Sequence, residues 1–122
     1  MNDIDTGILG SAGYAVQRDV TLHVSIDEQM IEFNRITSVG RNGDIRIFKD
    51  VPWVSRHHLE LLVNQEENWI RDANSKAGTY VNGEPISSEI WLKLKDTDEI
   101  TIGGLLPVNL IRTTALMLLR RG

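Results

Sequence analysis

Three short polar segments hold the residues whose types and spacing could do chemistry. They are Gly40-Arg41-Asn42-Gly43-Asp44, Ser55-Arg56-His57-His58 and Ser75-Lys76-Ala77-Gly78-Thr79, the last continuing into Val81-Asn82-Gly83. Arg41 and Arg56 offer planar, forked donors that match the oxygens of a phosphoryl group. Ser55 and Thr79 add short hydroxyls, and Lys76 adds a compact positive charge. Backbone N–H groups in tight turns can supplement them as an anion nest. Donors of this kind converging from three loops suit a dianion. The same segments supply no nucleophile paired with its base and no metal cluster to activate a phosphate, so no enzymatic activity is expected.

A metal reading of His57-His58 fails on geometry. Neighbouring side chains on a strand point to opposite faces, and His23, the remaining histidine, is remote in sequence. No three-ligand set results. The chain has no cysteine, which excludes disulfides, thiolate catalysis and cysteine-bound zinc. No metal and no cofactor are expected.

The elements that must position these segments read as short strands. Residues 21–26 alternate, with Leu22, Val24 and Ile26 on one face, and Asp27-Glu28 follows as a turn. Ile31 and Phe33 resume the alternation. Residues 36–39 lead into Gly40, and residues 45–48 form another short run. Leu59, Leu61 and Val63 share a face. Residues 64–68 form a polar turn before a strand over 69–72. Residues 80–81 precede Asn82-Gly83, a strong hairpin signal. Residues 99–102 and 108–111 close the series. Strands this short, separated by frequent turns, predict an all-β sandwich or barrel. Residues 1–19, with Gly7, Gly10 and Gly13 among small polar residues, are expected to be a flexible arm, and 20–114 the domain. Residues 115–122 are expected to be a tail or short helix, with Ile111, Ala115, Leu118 and Leu119 on one helical face, although the β-branched Thr113 and Thr114 oppose it. Trp69 is expected in the core. Trp53, two residues before Ser55, reads equally as packing or as a shelf beside the loops.

The 122 residues fit one domain, with 41% hydrophobic and 25% charged residues, enough for a core without staples. The formal charge of −4 disfavours nucleic acid as a partner, so any anion must be held by a local cluster. No apolar run approaches a membrane span, and Asp3 and Asp5 stand where a secretory leader would be basic. No membrane contact is expected, and a cytoplasmic place is.

Taken in order, the three segments resemble the signature of the forkhead-associated (FHA) domain family: Gly-Arg, then Ser-x-x-His, then a Ser-x-Asn-Gly-Thr turn, then Val-Asn-Gly. Trp69-Ile70-Arg71-Asp72 resembles the family's strand before the third loop, and residues 94–103 resemble its closing strand. The likeness extends from about residue 21 to 111. It implies a two-sheet antiparallel β-sandwich that docks phosphorylated partner proteins, through phosphothreonine, on its apical loops. By position it implies that Arg41, Ser55, Arg56, Lys76 and Thr79 contact the phosphopeptide, with Arg41 exposed. It implies structural roles at the site for Gly40, His58, Gly78 and Asn82. Ala77 stands where the family usually carries Asn, and only Asn42 and Gly43 separate Arg41 from Asp44. These departures keep an alternative open: an FHA-fold assembly module that binds partners without reading phosphate. A weaker expectation is that Thr6, flanked by Asp3 and Asp5, is a phosphorylation site that such a domain captures.

Overall fold

The computed structural model describes residues 22–114. Twelve strands run through them: β1 (Leu22–Ile26), β2 (Gln29–Ile31), β3 (Ile36–Gly40), β4 (Ile45–Arg46), β5 (Leu59–Val63), β6 (Asn68–Asp72), β7 (Thr79–Val81), β8 (Glu84–Pro85), β9 (Leu92–Leu94), β10 (Ile100–Ile102), β11 (Leu106–Val108) and β12 (Leu110–Thr114). They pair into a five-stranded sheet of order β4-β3-β5-β6-β9, a four-stranded sheet of order β11-β10-β7-β8, and a three-stranded sheet of order β12-β1-β2. The all-β sandwich read from the sequence is present. One pair departs from the antiparallel rule: β3 and β4 run parallel, with Val39 opposite Ile45 and Gly40 opposite Arg46.

The core follows from alternation. On β5, Leu59, Leu61 and Val63 are fully buried while Glu60 and Leu62 face outward. Across the ladder Leu61 pairs with Ile70 of β6, and Ile70 is equally buried. Ile102 of β10, Val24 of β1 and Val39 of β3 join the same cluster, so one core is shared by strands of all three sheets. Each such side chain stabilises the fold by about 1.5–3 kcal/mol relative to exposure.

The same register overturns the expectation for Trp69. Because Ile70 faces the core, Trp69 stands on the outer face of the five-stranded sheet, its indole N–H directed at Glu67. Arg71, two residues on, shares that face. It pairs with Glu60 at 2.7 Å and lies 4.4 Å over the Trp91 ring.

Strand β12 carries Ile111 and both β-branched threonines, so a helix starting at Ile111 is excluded there. The remainder of that predicted helix, and the arm with Thr6, lie outside the described residues. Among the described residues, no helix is long and apolar enough to cross a membrane, and no group of three or more acidic or histidine side chains could hold a metal.

Candidate functional site

The first loop leaves β3 at Gly40. Its fit explains the glycine: a Cβ there would stand 2.3 Å from the Arg56 carbonyl oxygen and 2.6 Å from that of Ser55. The requirement is close approach of two backbones rather than an unusual φ. With the backbones this near, the Arg41 N–H donates to the Ser55 carbonyl at 3.1 Å and the Asn42 N–H to the Arg56 carbonyl at 2.9 Å. The Arg41 Nε–H donates to the Val54 carbonyl. The first and second loops are thus zipped together.

His58 joins the second loop to the third. It is fully buried. The Ser55 N–H donates to its Nδ1 at 3.0 Å, which places the proton on Nε2, and Nε2 lies 2.9 Å from the Gly78 carbonyl as donor. A buried imidazole with both nitrogens satisfied is a brace.

Asp72 organises the third loop from within. Its carboxylate accepts the Ser75 N–H at 2.9 Å, the Ser75 hydroxyl at 2.6 Å and the Thr79 hydroxyl at 2.7 Å. The Ser75 Oγ accepts in turn from the Gly78 N–H at 2.9 Å. Gly78 sits at φ +84°, a conformation that strains a side chain, and its carbonyl also accepts the Gly103 N–H at 2.8 Å. The turn between β10 and β11 is thereby tied to the site.

This web corrects one expectation. Thr79 is fully buried and its hydroxyl proton is committed to Asp72, so it cannot meet a ligand. Thr79 is an internal strut. Asn82 is also placed differently. It lies at the far end of β7 from Gly78, with its carboxamide bonded to Asp98 and Glu99 rather than to the loops around Arg41, Ser55 and Lys76. The Asp72 and Ser75 roles were missed. The signal was an Asp three residues ahead of a Ser in a turn, which favours side-chain capping of backbone N–H groups.

With the loops braced to one another, the side-chain groups left over are of the kinds a phosphate needs. The Ser55 Oγ accepts the Lys76 N–H at 3.1 Å, and among the described residues its own proton has no acceptor. Arg56 and Lys76 are exposed, and among the described residues their side chains have no partner. Arg41 is half-buried rather than exposed. Its Nε is held, and among the described residues the terminal nitrogens of its guanidinium have no partner. The structure therefore brings Arg41, Ser55, Arg56 and Lys76 onto adjoining loops. Beside them Trp53, 40% exposed, lays its ring over Gly103: a Cβ on that glycine would be 2.7 Å from the ring and 3.4 Å from the Ala77 Cβ.

Comparison with known proteins agrees. The chain is 44% identical over 68 residues to the glycogen accumulation regulator GarA of Mycobacterium tuberculosis, a stretch covering 56% of this chain and 40% of that protein. It is 43% identical over 67 residues to the oxoglutarate dehydrogenase inhibitor of Corynebacterium efficiens, covering 55% and 45%. The match thus spans less than half the length of either relative. Among solved structures, the FHA-1 domain of Mycobacterium tuberculosis Rv1747 superposes with TM-score 0.56 at 24% identity, over 76% of this chain and 94% of that one. The N-terminal FHA domain of S. cerevisiae Rad53p, solved with a phosphothreonine peptide, superposes with TM-score 0.55 at 17% identity, over 83% and 98%. Residues 37–103 match the FHA domain family, and the chain belongs to that family.

Proposed function

We propose that this domain binds phosphothreonine-containing segments of partner proteins and works by recognition rather than catalysis, in the cytoplasm. The observation that carries this reading is a set of side-chain donors, without partners among the described residues, on loops braced to one another. The Ser55 hydroxyl proton, the outer nitrogens of Arg41, the Arg56 guanidinium and the Lys76 ammonium all lie on loops locked by His58 and Asp72. Locking reduces the ordering cost of binding, so charge-assisted hydrogen bonds to the phosphoryl oxygens translate into affinity. In this assignment Ser55 and Arg41 hold the phosphate, and the Arg56 and Lys76 side chains complete its neutralisation. The exposed indole of Trp53 forms the shelf for ligand residues following the phosphothreonine.

Ala77 has no side-chain donor for the peptide backbone, so affinity is lower than with Asn at this place by the worth of about one hydrogen bond, ~0.5–1.5 kcal/mol. Partner regulation, as the names of the relatives describe for those proteins, would follow from occupancy of this surface. The test is a paired fluorescence titration with a phosphothreonine peptide library and its unphosphorylated twin. Selective binding of the phosphorylated members supports the reading. Equal binding of both sets would overturn it and favour an assembly module indifferent to phosphate.

A further inference from the structure

The sequence contains two Asn-Gly dipeptides, Asn42-Gly43 and Asn82-Gly83. In such a pair the following backbone nitrogen reaches the Asn carboxamide most readily, because glycine has no side chain to obstruct the approach. The fold treats the two oppositely. At Asn82 the carboxamide is held from both sides: Nδ2 donates to Asp98 Oδ1 at 2.8 Å, and Oδ1 accepts the Glu99 N–H at 2.9 Å. Turning that group toward the Gly83 nitrogen breaks both bonds. At Asn42 the side chain is exposed, and among the described residues it has no partner. The Gly43 N–H likewise donates to no described acceptor. Nor can the fold dispense with this glycine, since a Cβ at Gly43 would stand 2.7 Å from the Ser38 carbonyl oxygen.

We infer that Asn42 is a site of spontaneous deamidation on the phosphate-binding surface, and that Asn82 is protected from the same reaction. The Gly43 nitrogen attacks the Asn42 Cγ and loses its proton, and the carboxamide nitrogen leaves as ammonia, closing a succinimide. Water then opens the ring at either carbonyl, giving aspartate or isoaspartate. Either product places a carboxylate beside Arg41 and Arg56, where it pairs with guanidinium groups and repels a phosphate dianion. Isoaspartate also lengthens the backbone by one carbon, which disturbs the Asn42 N–H bond to the Arg56 carbonyl and the contact of His57 Nε2 with the Asn42 carbonyl. The loss of affinity rests on the proposed phosphate reading; the covalent change does not.

The experiment incubates the whole chain in mildly alkaline buffer at physiological temperature. Peptide mapping by mass spectrometry and affinity for a phosphothreonine peptide are recorded at intervals. Expected are conversion at Asn42, conversion at Asn82 at least about tenfold slower, and a dissociation constant about tenfold higher in the converted fraction. Asn42→Asp reproduces the weakened binding at the start, and Asn42→Ser holds its initial affinity throughout. Persistence of the Asn42 amide, or conversion at Asn82 at the same rate, would overturn the assignment of the site. Conversion at Asn42 with unchanged affinity would overturn its effect on binding. If no phosphate-dependent binding exists at all, the mapping still decides the chemistry.

Discussion

The two ends of strands β7 and β10 make opposite use of the same polar chemistry. At one end, around Asn82 and the loop over residues 95–99, side chains satisfy each other. Asn82 bonds Asp98 and Glu99, and the Lys95 N–H donates to Asp98 at 2.7 Å. At the other end, around Gly78 and Gly103, the loops are braced through Ser55, His58 and Asp72, and among the described residues the cationic side chains of Arg56 and Lys76 have no partner. A polar end that closes on itself is structural. A polar end whose loops are braced while its charges are unspent has donors available for the partner proposed above.

That contrast is most severely tested at Arg41 and Ser55. Arg41→Ala/Ser55→Ala should weaken phosphothreonine-peptide binding by at least about 100-fold in a fluorescence titration, from the loss of two charge-assisted contacts. Asn82→Ala should leave the same titration unchanged. Similar losses in both variants would erase the distinction. Because the Nε of Arg41 is bonded to the Val54 carbonyl, Arg41→Ala should also lower stability modestly, and Arg41→Lys should bind weakly despite keeping its charge.

Next in size is the frame itself. His58→Ala removes a fully buried ring and leaves the Ser55 N–H and Gly78 carbonyl short of a partner, so urea denaturation should show a loss of about 3 kcal/mol. Asp72→Ala should cost about 2–3 kcal/mol, since it strands the Thr79 hydroxyl in the interior. A stable His58→Ala domain with normal affinity would mean the loops do not depend on this brace.

Lys76 is exposed, and its backbone N–H already serves Ser55. Lys76→Ala should therefore weaken binding only about threefold, with the difference fading at high salt.

The smallest effect belongs to the closed end. The Lys95 backbone N–H, followed by the Asn82 carboxamide, holds the Asp98 carboxyl below its ordinary 3.8. A depressed carboxylate contributes stability that is fully present above its ordinary range and is lost as pH falls through its folded value. Thermal melts in Asn82→Ala should therefore lose less on acidification below that range than the parent does. An NMR titration should also find Asp98 closer to 3.8 in the variant. Equal acid sensitivity would show that Asn82 does not support Asp98.

Local rules made much of this molecule legible. The alternation of Leu59, Leu61 and Val63, the Asp27-Glu28 and Asn82-Gly83 turns, and the ordered signature from Gly40 to Asn82 announced the sandwich and its loops. These features depend on near neighbours, and spacing along the chain preserves them. Trp69 was misread because strand alternation identifies two faces without saying which is inside; the register of Ile70 against Leu61 decided that. Thr79 was misread because its hydroxyl has the right chemistry for phosphate, yet an Asp seven residues earlier claims it in the interior.

The sequence alone determined the strand pattern, the absence of thiol chemistry and the kinds of donor available. Tertiary structure decided which of those donors stay free. Whether Arg41, Ser55, Arg56 and Lys76 keep donors available while Thr79, Ser75 and Asp72 are spent depends on bonds between loops that meet only after folding. A hydrogen-bonding group spent on its own frame has nothing left to offer a phosphate.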